Sequence, residues 1–157
     1  MTALETTMYE LGRLFLMPIL VIILALFAYA FFTLGSFALE AWQRRRQTAP
    51  CPLRAHRAQH GSDSEELELL ILHRLEPLRV TSRTAPMLGL VATMIPLGPA
   101  LLALGDGDLS RVGEQLVVAF AAVILALITA SITYWILTVR RRWLLGALKQ
   151  VEREMAG

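Results

Sequence analysis

Thr93, Thr129, Ser131 and Thr133 lie deep inside long stretches of this chain that hold no Asp, Glu, Lys, Arg or His. A hydroxyl in such surroundings has few uses. It can bond back to its own helix, bond across to a neighbouring helix, or meet a charge or a water supplied from elsewhere. An acidic or basic side chain there would point to a proton relay, but these stretches contain none, so the chain alone has no side chain to pass a proton in the usual way across the middle of a membrane. The remaining chemistry-bearing residues offer less. His56 and His60 stand four apart, as a helical metal-binding pair would, yet no Cys or carboxylate at ligand spacing joins them, and a closed site needs three or four ligands. Cys51 is the single cysteine, in Pro50-Cys51-Pro52, so no intrachain disulfide can form. No nucleophile–base pair and no Gly-rich phosphate loop is present. The expectation is a non-enzyme with no metal and no cofactor.

The elements that must position the hydroxyls follow from the charge-free runs: Leu14–Leu39, Thr84–Gly105 and Gln115–Val139, of 26, 22 and 25 residues. A helix needs roughly 20 apolar residues to cross a hydrocarbon core of about 30 Å. In lipid each backbone N–H and C=O must be satisfied within the segment. With 55% hydrophobic residues and a mean hydropathy of +0.54, the sequence predicts an all-α integral membrane protein: three transmembrane helices with cytoplasmic helical extensions. The expected divisions are an outer segment 1–13, spans at 14–39, 84–105 and 115–139, a cytoplasmic loop 40–83 with an amphipathic helix over 62–76, a short outer loop 106–114, and a cytoplasmic C-terminal helix 140–157.

Orientation comes from the positive charges. Of 15 Lys and Arg, 13 lie within Arg44–Arg83 and Arg140–Arg153; only Arg13 and Arg111 lie elsewhere. Positive residues accumulate in cytoplasmic loops, which predicts the N-terminus outside and the C-terminus in the cytoplasm of a bacterial or archaeal inner membrane. The first apolar run far exceeds the 7–15 residues of a signal-peptide core and follows Glu5 and Glu10 rather than a basic segment, so it is expected to be a retained span. Trp42, Arg44, Arg45 and Arg46 at the exit of the first span, and Arg140, Arg141, Arg142 and Trp143 at that of the third, are aromatic and basic anchors for the inner interface of the lipid bilayer. Their place beside the membrane fits lipid head groups and topology, not nucleic acid.

Before the membrane, Ser62 with Glu65, or Asp63 with Glu66, offers a capping box. Leu67, Leu70, Ile71, Arg74 and Leu75 then share a face, and Pro77 is expected to kink this helix on its way in. Leu144, Leu145, Leu148, Val151 and Met155 carry the third span on as an amphipathic helix. Within the membrane, Ala85, Gly89, Thr93, Pro96, Ala100 and Ala103 recur every three or four residues, as do Ala119, Ala122, Ala126, Thr129 and Thr133. Such small faces either let helices approach closely or line a cavity.

The run Thr84-Ala85-Pro86-Met87-Leu88-Gly89-Leu90-Val91-Ala92-Thr93-Met94-Ile95 resembles the "TAPLLGLLGTV" opening of the second span in ExbB and TolQ, of the MotA/TolQ/ExbB proton channel family. The resemblance covers about residues 80–143, with its short outer loop, long third span and basic exit. It implies a homopentamer around a dimer of single-span partners of the ExbD, TolR or MotB kind, each bringing an Asp into the membrane, and a rotation driven by protonation of that Asp. Thr93 matches the family's pore-lining Thr of the second span. Gly89, Pro96, Ala100, Ala119, Ala122, Ala126, Thr129 and Thr133 are expected beside it as pore-lining or partner-contacting residues. Three features depart from the family: where its third span carries a hydroxyl, this chain has Phe120 or Val123, depending on gap placement; Pro96-Leu97-Gly98-Pro99 replaces the usual continuation of span two; and the cytoplasmic region is shorter than in the family's motor proteins. The expected function is a ring-forming subunit of a motor or channel driven by the proton-motive force, energising an envelope or transport process. The alternatives are a non-conducting homo-oligomeric scaffold and an accessory transporter subunit.

Overall fold

Three helices account for nearly all of the described residues. The computed structural model describes residues 3–46 and 64–156. Helix α1 runs Ala3–Arg45, α2 Ser64–Gly105 and α3 Leu109–Ala156. All three are long and apolar enough to cross a membrane, and the chain is an all-α, multi-pass membrane protein. At 1.5 Å per residue they reach about 64, 63 and 72 Å, well beyond a bilayer of roughly 45 Å with its head groups. Each helix therefore contains its span and continues past it.

The continuity differs in detail from a reading by segments. Residues 3–13 continue into the first span with no break at Arg13. The amphipathic segment and the second span form one helix, with Pro77, Pro86, Pro96 and Pro99 all inside it. The capping residues Ser62 and Asp63, along with Cys51, His56 and His60, lie outside the described residues.

The α2–α3 turn explains itself from three residues. Gly107 has φ +77°, a left-handed conformation that suits glycine because it has no Cβ. Its N–H donates to Leu104 O at 3.1 Å and the Asp108 N–H donates to Ala103 O at 2.9 Å, a Schellman closure of α2. The Asp108 carboxylate then accepts from the Arg111 N–H at 3.1 Å and so caps α3. One residue thus ends the first helix and begins the second, forcing α2 and α3 into an antiparallel hairpin. Helix α1 packs against this hairpin, more on α3 than on α2.

Packing chemistry changes along the hairpin. At the end beyond the spans, Ile71 and Leu75 of α2 bury against Leu144, Leu148 and Val151 of α3. Inside the membrane the shared layer is Ala92, Ala122 and Ala126 with Ile23 of α1. Between them Phe37 of α1, Leu78 and Ile136 form a third layer. Large aliphatics gain from leaving water. Lipid provides no such drive, so helices there associate by close contact of small residues.

Candidate functional site

The two small faces meet each other. Ala85, Ala92, Pro96, Ala100 and Ala103 of α2 are buried, as are Ala119, Ala122, Ala126, Thr129 and Thr133 of α3. Gly89 sets the tightest point: a Cβ built on it would lie 2.7 Å from the Ala126 Cβ and 3.5 Å from the Val123 Cα. That separation is available only to glycine, and it lets the two backbones approach. Thr129 and Thr133 are fully enclosed, and each hydroxyl donates to the carbonyl four residues back, Leu125 and Thr129 respectively, at 2.8 Å. Of the nine expected pore or partner residues, Gly89, Pro96, Ala100, Ala119, Ala122, Ala126, Thr129 and Thr133 are thus buried within one chain. The physical cause is that a small stripe on each of two adjacent antiparallel helices is the natural seam between them.

Thr93 stands apart from this group. It is only half buried, at the edge of the seam, and its hydroxyl donates to Leu90 O at 2.7 Å. With the single proton so engaged, the oxygen still accepts. On rotation it can donate to a carboxylate instead. Helix α1 occupies the other flank of the hairpin: Ile19, Leu20 and Ile23 pack by Leu88 and Leu125, and Ile95, Pro99 and Leu102 border a cleft that α1 closes from the opposite side. At 100° per residue, Thr93 lies roughly 120–180° around α2 from Leu88, Ile95, Pro99 and Leu102. Thr93 is therefore on the hairpin surface turned away from α1.

That surface continues onto α3. Phe120, Leu127 and Tyr134 are exposed there at 59, 51 and 65%, with Val123 half buried beside Gly89. Ser131 and Thr138 are also exposed, bonded to the carbonyls of Leu127 and Tyr134 at 2.8 and 2.9 Å. The outward hydroxyls of α3 are thus Ser131, Tyr134 and Thr138, while Thr129 and Thr133 turn inward. Phase could have shown this: Ala119, Ala122, Ala126, Thr129 and Thr133 keep one helical phase, and Ser131 is out of it.

At the far end, the basic blocks of α1 and α3 are drawn together by a residue that sequence reasoning overlooked. Glu40 accepts from Arg44 at 3.3 Å and from the Arg140 guanidinium at 3.2 Å. Arg44 lies over the Trp143 ring at 4.6 Å, and Phe37 stacks on the same ring at 5.2 Å. Arg46 lies over Trp42 at 4.5 Å. Arg45, Arg141 and Arg142 are exposed around this cluster. Trp143, expected as a lipid-facing anchor, is half buried and serves as a platform between helices. The only sign in the sequence was a lone Glu at the first position past the charge-free run.

Among the described residues no three His, Cys, Asp or Glu gather as a metal site. A model of the MotA/TolQ/ExbB proton channel family matches residues 33–153. No curated protein and no solved structure gives a match.

Proposed function

The chain belongs to the MotA/TolQ/ExbB proton channel family, and from that premise we propose that it is the ring-forming subunit of a motor or channel driven by the proton-motive force. Membership supports a general role as a proton-channel subunit. The observation that carries the finer reading is the absence of any Asp, Glu, Lys, Arg or His from all three charge-free runs. A proton-channel subunit of this composition needs its titrating group from another chain. The proposed source is an Asp on a single-span partner, a dimer of which is held inside a homopentamer. Thr93 and the hairpin surface away from α1 would face it, while α1 faces lipid. The sealed α2–α3 seam would act as a rigid mount, fixing the angle at which Thr93 meets the partner. The process so energised is one of the envelope or of transport.

A partner carboxylate in hydrocarbon is costly unless hydrogen-bonded. Thr93→Val keeps the shape and removes the oxygen. An interhelical hydrogen bond in a membrane contributes only about 0.6–2 kcal/mol, so expression and assembly should stay close to normal. Ion flux, or the process it drives, should fall by about tenfold, because a loss of about 1.4 kcal/mol at the charged step is a factor of 10. A partner Asp→Asn control should be inactive. Full activity in Thr93→Val would remove Thr93 from the mechanism; full activity in the Asp→Asn control would end the motor reading.

One observation favours a second reading, a non-conducting scaffold. Phe120, one of the two positions at which the family would carry a third-span hydroxyl, the other being Val123, presents a large exposed ring. On that reading Thr93→Val has only a mild packing effect, and neither variant changes flux.

A further inference from the structure

Arg13 and Arg111 are the only two cations outside the cytoplasmic blocks, and the structure brings both to one place. They border a cleft of about 930 Å³ between α1 and the hairpin. We propose that this cleft is a phospholipid site, with the lipid phosphate held between the two guanidinium groups and an acyl chain lying along the cleft floor.

Depth is the first argument. Arg13 is about 20 Å, and Arg111 about 24 Å, along its helix from the centre of the adjoining charge-free run. Half of a bilayer of about 40–45 Å places head groups at that level. The second argument is the sorting of the lining by polarity. Arg13, Arg111 and Asp106 lie toward the ends of the spans, Leu16, Leu20 and Ile95 line the cleft deeper toward their middle, and Met8 and Tyr9 continue it beyond Arg13. Charge that adjoins a long apolar floor suits a lipid, not a free anion. The third is unspent charge. Among the described residues Arg13 has no carboxylate partner, and Arg111 reaches Asp108 only at 3.9 Å while 72% exposed. Arg111 also sits in the first turn of α3, where the helix dipole adds positive potential. Asp106 is placed to accept from a head-group amine.

The cleft has an identifiable origin. Pro96 and Pro99 lie on its wall. Neither has an N–H, so the carbonyls of Ala92 and Ile95 lose their usual partners and the rings push against the preceding turn. Helix α2 therefore cannot pack α1 tightly here, and lipid would fill the gap. The inference is independent of ion conduction and of which leaflet holds the α2–α3 turn.

The test is native mass spectrometry of the full chain released from nanodiscs of phosphatidylethanolamine and phosphatidylglycerol in equal parts. The wild type should retain phospholipid. The double variant Arg13→Gln/Arg111→Gln should retain about tenfold less, having lost two charge-assisted contacts. Leu16→Trp should fill the floor and reduce retention with both charges intact, which keeps the test decisive if the double variant misfolds. Lys149→Gln/Arg153→Gln, both exposed on the α3 extension beyond the span, removes as much charge and should behave as the wild type does. Wild type that retains no phospholipid, retention unchanged in the double variant and in Leu16→Trp, or labelled inorganic phosphate bound in place of lipid would each overturn the proposal.

Discussion

At the scale of single residues, the seam between α2 and α3 turns on one missing methyl group. Gly89 faces Ala126 at a separation that no Cβ tolerates. Gly89→Ala should push the helices apart and cost about 1–3 kcal/mol, the usual range for overpacking, read as a lower unfolding temperature in detergent. Adding Ala126→Gly should return most of the loss by vacating the same space. A double variant no more stable than Gly89→Ala would show that the contact is not the cause. Residue types alone could not separate seam from surface in this region. Thr93, Thr129 and Thr133 look alike in a sequence, since each follows the spacing of a small stripe. Only the phase of Thr93, about 80° from Ala85, 40° from Gly89 and 100° from Ala92, places it at the edge, an offset that spacing by threes and fours conceals.

At the scale of elements, the long helices were legible because charge-free runs are long, unambiguous and bounded by Arg blocks. Their continuity past the spans was legible as well, because no breaker follows Arg140 and Pro77 predicts a kink, not an end. Helix α2 runs through residue 77, since a helix packed against a neighbour absorbs the loss of one hydrogen bond. The attachment of α1 was not legible at all, because it depends on Glu40 meeting Arg140, 100 residues away. Both side chains are about one-third exposed, so the pair is screened and modest. A double-mutant cycle with Glu40→Gln and Arg140→Gln, read by thermal unfolding, should give a coupling of about 0.5–1 kcal/mol. Zero coupling would leave the Phe37–Trp143 stack as the tether at this end.

At the scale of the whole molecule, α1 differs from the hairpin. In its most apolar window 11% of residues are buried, against 28% in each of α2 and α3. Leu14, Val21, Leu24 and Phe32 are exposed at 60% or more, an apolar surface suited to lipid, while the surface across the hairpin carries the outward hydroxyls. This asymmetry is what the proposed ring requires, with α1 toward lipid and the hairpin surface toward other chains. The sequence carried a sign of it, since span one is rich in Phe and Leu and has no small-residue stripe as long as those of the other two.

Orientation in the membrane belongs to the same scale. The charge bias of 13 against 2 predicts one orientation, and the fold makes that bias spatial. Arg44 of α1 and Arg140 of α3 meet at one end through Glu40, with Arg45, Arg141 and Arg142 exposed around them. Arg13 and Arg111 border the same cleft at the opposite end. Each charged block is therefore an end of the bundle, and turning the molecule over would move the whole basic end across the membrane together. A reporter active only in the cytoplasm should work when fused after Gly157 and fail when inserted at Gly107. A reporter active only outside should give the reverse. Because α2 and α3 are locked by the Gly107 turn, the two sites must report opposite sides. Equal signals from both would contradict the hairpin, and an exchanged pattern would contradict the orientation while leaving the fold intact.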